Sequence, residues 1–168
     1  MTRQRHLVAP VALTGLSLLV FPLIEVAFTS TPFRIGDPIW RFGVEGVISG
    51  MMFFPMLGLL LLLAAAAIAE SRVGNRAVMV VGFCGAVAIA LLCAAFILDV
   101  LQVKATAAPR MYPAMKRAAI SALMRDALAF AGFLTCGLAA RRALRSTGHT
   151  PGPDRAKPII VSQSTRAD

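Results

Sequence analysis

Four acidic residues stand out because each is the sole or nearly the sole carboxylate at the edge of a long apolar run: Glu25, Glu45, Asp99 and Asp126. Arg34, Arg41, Lys104 and Arg125 are expected at similar depth. Ionisable groups this close to hydrocarbon are candidates for function. Together Glu25, Arg41, Glu45, Asp99, Arg125 and Asp126 form a possible outer charged cluster. Such a cluster could hold a cation, relay protons or grip a lipid head group. The plainer reading is that these charges pair across the rim and fix helix register, since interfacial depth costs far less than the bilayer centre.

Other chemistry is poorly supplied. His6 and His149 both lie outside the apolar runs, so no imidazole is available to ligate a haem at membrane depth. Cys84, Cys93 and Cys136 are isolated in apolar sequence without a CxxC, and read as small packing residues. Ser49, between glycines in "GVISG", has no nearby base to activate it as a nucleophile and reads as a packing residue as well. There is no phosphate-cradling glycine loop and no metal-spaced cluster. The expectation is a protein without enzymatic activity and without a cofactor.

The elements that must position these residues belong in lipid. The chain of 168 residues is 58% hydrophobic and only 15% charged, with a mean hydropathy of +0.76. That is more apolar surface than a soluble domain of this length covers. Four apolar stretches approach the ~20 residues that a helix needs to cross ~30 Å of hydrocarbon. They have no period-two alternation, which argues against a membrane barrel. The predicted fold is all-α: a four-helix transmembrane domain over 1–145 with spans at about 7–28, 46–69, 77–101 and 119–140, and a flexible cytoplasmic tail over 146–168. The first span follows the basic leader "MTRQRH", but its apolar run exceeds a typical signal-peptide core and is read as an uncleaved helix.

With both termini in the cytoplasm, the inner side carries ten basic residues and the outer side seven. This bias follows the positive-inside rule and points to a multi-pass protein of a bacterial inner membrane. Most of the net charge of +9 then faces the anionic cytoplasmic leaflet, so nucleic acid is not the expected partner. The bilayer is, with a membrane-protein partner or a second copy beside it.

Within the spans, Pro10, Pro22 and Pro55 predict kinks. Gly46 with Gly50, and Gly82 with Ala86, have the spacing of helix-packing notches. The short turn "ESRVGNR" makes the second and third helices antiparallel neighbours. In "KATAAPRMYPAMKRAA", Pro113 predicts the start of a short outer interfacial helix before the last span. The stretch "GDPIWRFGVEG" reads as an interfacial loop: Asp37-Pro38 as a turn, Arg41 paired with Asp37 or Glu45, and Trp40 and Phe42 in the head-group layer. Asp37, Trp40 and Phe42 are also a possible docking surface, because Trp and Arg are enriched at interface hot spots. In the tail, "PIIV" is a possible docking strand within an otherwise polar, Pro- and Gly-rich segment.

The spacing of "GDPIWRFGVEGVISGMMFFPMLGLLLLLAA", followed by "FILDVLQVK", resembles the HpsJ-type membrane proteins, four-helix proteins associated with hormogonium polysaccharide production in cyanobacteria. The likeness rests on Asp37, Pro38, Trp40, Pro55, Leu57 and Gly58. It implies an accessory role in export or assembly of surface polysaccharide and supplies no catalytic residues. The leading expectation is therefore a non-enzymatic accessory or scaffold subunit of an envelope complex. The alternative is a small ion-, proton- or lipid-handling carrier built on the acidic cluster.

Overall fold

The computed structural model describes residues 2–106 and 109–146, with side chains over 6–105 and 110–146. The expected tail, apart from Ser146, lies outside the described residues, as does the "PIIV" island. The described residues form helices and no strand: α1 (Thr2–Thr29), α2 (Pro38–Met51), α3 (Phe53–Ile68), α4 (Arg72–Thr106) and α5 (Tyr112–Ser146), with a 3-10 turn at Pro109–Met111. Four helical units, His6–Thr29, Pro38–Ile68, Arg72–Ala105 and Tyr112–Ser146, are long and apolar enough to cross a membrane. Their outward faces present Leu13, Leu23, Phe28, Leu91 and Leu128, as expected of surfaces that meet lipid tails.

The helices overrun the apolar stretches that announce them. The second unit starts at Pro38, not near Gly46, because Asp37 caps it. The Asp37 carboxylate accepts from the Ile39 N–H at 2.9 Å, and Pro38 occupies the first turn, where its missing donor costs nothing. Ser71 caps α4 in the same way, accepting from the Gly74 N–H at 3.1 Å. At 35 residues each, α4 and α5 are about 52 Å long. The segment expected as a short interfacial helix leading into the last span forms the opening turns of α5. The break between α2 and α3 falls at Met52, three residues before Pro55, whose ring nitrogen has no hydrogen to give to the Met51 carbonyl. α1 stays helical through Pro10 and Pro22.

α4 and α5 form the most extensive pairing, antiparallel along their whole length, and α1 lies antiparallel on α3. α2 and α3 both bridge to α4 and α5, whereas the backbone of α1 stays apart from those two helices. Close approach is set at two glycine pairs. A Cβ on Gly58 would stand 2.5 Å from the Gly15 carbonyl oxygen, and one on Gly82 2.8 Å from Gly137 Cα. The expected notch at Gly46 and Gly50 is not one: nothing lies within 4 Å of a Cβ at Gly46, and at Gly50 only Arg125 Nη1 does, at 3.9 Å. GxxxG spacing marks a smooth face, and here the neighbours present their own glycines elsewhere.

The core is divided in two along the helix axes. The larger cluster joins Leu59, Val78, Ala86, Ile89, Ala129, Phe133, Cys136 and Ala140, with the Phe133 ring filling the notch at Gly85. The smaller joins Phe96, Ala119 and Ala122, flanked by Phe42, Val100 and Leu123. Asp126 on α5 and Cys93 on α4 fall in sequence between the members of these two clusters.

Candidate functional site

Glu45 and Ser49 are four residues apart, so one face of α2 carries both. Both are buried, as is Asp126, which is only 1% exposed. These side chains meet between the two apolar clusters: the Glu45 carboxyl lies against that of Asp126, and the Ser49 hydroxyl and Cys93 thiol border Asp126 from α2 and α4. Among the described residues, none of Glu45 Oε1, Ser49 Oγ, Asp126 Oδ1 or Asp126 Oδ2 has a partner in hydrogen-bonding alignment. Arg125, next to Asp126 in the chain, acts on it through its charge but forms no ion pair with it. Its exposed side chain runs past Gly50 along a cleft shared with Ser49, Met56 and Leu128.

The depth of this polar layer follows from the rise of a helix. Cys93 is about six residues from the middle of the apolar run Ala77 to Leu98, or about 9 Å. The hydrocarbon half-thickness is ~15 Å. With that run centred in the bilayer, Glu45 and Asp126 fall within the hydrocarbon thickness, and both are buried inside the bundle.

The rim is occupied by a different pair, about 9 Å further out along α4. Arg41 donates to Asp99 from Nε, at 2.9 Å to Oδ1 and 3.1 Å to Oδ2, and its Nη2 stands 2.7 Å from Oδ1. Nη1 donates to the Ile35 carbonyl at 2.8 Å, and Nη2 to Gln102 Oε1 at 2.9 Å. Arg41 thus ties the start of α2 to α4 and to the preceding loop. The local partners expected from sequence, Asp37 and Glu45, are both otherwise engaged: one caps its own helix, the other points into the bundle.

Three of the four acids thus converge, Glu45 with Asp126 directly and Asp99 near enough to act on Glu45 through its charge. Glu25, half-buried on α1, joins none of them among the described residues; its backbone carbonyl accepts from Thr29 Oγ1 at 2.8 Å. Trp40 and Phe42 do not share one layer. Two residues apart on a helix they point to nearly opposite sides. Trp40 meets Phe33 edge-on at 6.2 Å, while Phe42 stacks inward on Phe96 at 5.4 Å. Sequence reasoning missed Gln102 as a partner of Arg41, and assigned Ser49 and Cys93 to packing alone. The i, i+4 spacing of Glu45 and Ser49 was a legible signal for the first of those two; nothing in the sequence marked Cys93.

Fold and site together define a multi-pass helical protein of the four-span type with a carboxyl pair enclosed among its helices. Comparison with family models, curated proteins and solved structures finds no match for this chain. Among the described residues no three His, Cys, Asp or Glu are arranged to hold a metal ion.

Proposed function

We propose that the protein is a small, non-enzymatic ion-handling membrane protein that takes up and releases a proton at the Glu45–Asp126 pair. The observation that carries this reading is the contact of two buried carboxyl groups between two apolar clusters, with no basic side chain bonded to them among the described residues. Two carboxyls sharing a site at low dielectric are accommodated far more readily with a proton between them than with both ionised. A buried carboxyl pair at hydrocarbon depth is also expensive to keep merely for register. A bacterial inner membrane with both termini cytoplasmic, the orientation favoured by the arginine and lysine distribution, would put the pair in the outer half of the bilayer.

The test is unfolding of the detergent-solubilised full chain against pH, for wild type, Glu45→Gln, Asp126→Asn and the double variant. Wild type should show a pH-dependent step in stability that each single amide displaces and the double removes. Superimposable wild-type and double-variant profiles would reject the proton site.

A second reading, the accessory subunit of an envelope complex, draws support from α1. Because the backbone of that helix lies close to α3 but apart from α4 and α5, an apolar cleft of about 440 Å³ runs between α1, α3 and α4, lined by Leu16, Leu62, Ala66, Gly74 and Val78 among others. A partner's helix fits such a cleft, and the resemblance to HpsJ-type proteins would place the complex in surface polysaccharide export or assembly. Purification in mild detergent should then recover a defined partner at fixed stoichiometry, released by Leu16→Trp. A monomer in several detergents would count against it.

A further inference from the structure

The end of the bundle that carries Trp40 holds a second feature, separate from the carboxyl pair. Between α2, α4 and α5 lies a groove of about 390 Å³ lined by Phe42, Val100, Ala119, Ile120 and Leu123, with Lys104, Lys116 and Tyr112 at its mouth. Two of its lining residues, Phe42 and Ala119, are backed by the smaller apolar cluster, where Phe42 stacks on Phe96. The Tyr112 hydroxyl donates to the Lys104 carbonyl, joining the last turns of α4 to the first of α5 across the mouth. No acid lines the groove, and neither lysine is paired with an acid among the described residues.

The depth of the groove identifies what fits it. Taking Gly82 opposite Gly137 and Cys93 beside Asp126 as the register, the bilayer middle falls near residue 131 of α5. Lys116 is then ~22 Å from the middle, among the head groups, and Leu123 ~12 Å, within the hydrocarbon. A soluble peptide or a free anion would meet only the lysines. A membrane amphiphile with a negative head meets both ends of the site.

We propose that this groove binds an anionic phospholipid, its head group held between Lys104 and Lys116 and the upper part of one acyl chain laid against Phe42, Ile120 and Leu123. Basic pockets between membrane helices take such head groups by the same arrangement. The site requires no motion of the helices, because the lysines stand at the mouth and are exposed.

Native mass spectrometry of the full chain in mild detergent, titrated separately with phosphatidylglycerol and phosphatidylcholine, tests this. Wild type should retain one phosphatidylglycerol in preference to phosphatidylcholine by up to about thirty-fold, the ceiling for two exposed ion pairs at up to about 1 kcal/mol each. Lys104→Gln with Lys116→Gln should abolish the preference, and Ile120→Trp, which fills the groove, should weaken both lipids. Arg141→Gln with Arg142→Gln, at the opposite end of α5, should leave the preference intact. Equal retention of the two lipids by wild type, or a preference that survives the double lysine variant or is lost in the arginine one, would overturn the proposal.

Discussion

The glycine contacts predict that alanine scanning of this chain gives an order opposite to that of the GxxxG spacing. At Gly82 an added Cβ would lie 2.8 Å from both Cα and N of Gly137 and 2.9 Å from the Phe133 carbonyl oxygen. All three are backbone atoms, so no side-chain rotation relieves the clash. Carbon contacts are comfortable at about 3.5–4.0 Å, so α4 and α5 must part by roughly 1 Å along the seam that buries Ala86, Ala129 and Ala140. Overpacking of this kind costs about 1–3 kcal/mol, and the rigid neighbours put Gly82→Ala in the upper half of that range. Gly137→Ala differs although it faces the same crossing. Its Cβ would meet Phe83 N at 3.4 Å and Gly82 C at 3.6 Å, which is ordinary contact, and the change should stay within about 0.5 kcal/mol. Gly46→Ala meets nothing and should be neutral, or stabilising by up to about 1 kcal/mol through helix propensity. Unfolding in mild detergent by rising dodecyl sulfate fraction, followed by the single Trp40, ranks the three. A Gly46→Ala loss larger than that of Gly82→Ala would refute the packing argument.

The rim pair and the α3–α4 turn offer further checks. Arg41→Ala and Asp99→Ala should each lose about 1–3 kcal/mol, between the values for exposed and fully buried pairs, since the two side chains are 30% and 14% exposed. The double variant should lose clearly less than the two together, and strict additivity in the same unfolding assay would mean that the pair is not coupled. Glu70 has a φ of +50°, a left-handed conformation that costs a side-chain-bearing residue about 1 kcal/mol or more. Glu70→Gly should therefore raise the unfolding midpoint, and a lowered midpoint would show that the Glu side chain contributes more than the strain it carries.

The four spans and their order were legible because each rests on an uninterrupted apolar run, which lipid demands of any spanning helix. Helix ends were not, because outside hydrocarbon the code changes. Pro38, Arg72 to Arg76 and Tyr112 to Arg117 continue as helix through caps and backbone bonds that hydropathy does not register. The same limit hid most of the real notches. Gly82 with Ala86 was legible as one by its spacing, but its partner Gly137 is on another helix, and neither Gly15 nor Gly58 has a local spacing that announces it. Two of the four singled-out acids, Glu45 and Asp126, do meet, with Asp99 near enough to act on Glu45 through its charge, but the partner of Arg41 stands 58 residues away at Asp99, and local charge spacing pointed instead to Asp37 and Glu45. Phe42 read as a lipid anchor because its helix appeared to be a loop.

The polar layer also bears on how such a bundle finds one alignment. Helices rich in Ala, Leu and Gly distinguish poorly between one axial setting and another a turn away, since every setting presents a similar surface. Sliding α5 by a single turn, about 5.4 Å, would carry Asp126 off Glu45 and toward one of the flanking apolar clusters, level with Ile89 of α4 on one side or Phe96 of α4 on the other. The carboxyl pair thus acts as an index mark, making a single setting much cheaper than its neighbours. Replacing both acids with leucine would remove the mark, leaving a bundle free to settle in several alignments even if each were more stable than the native one.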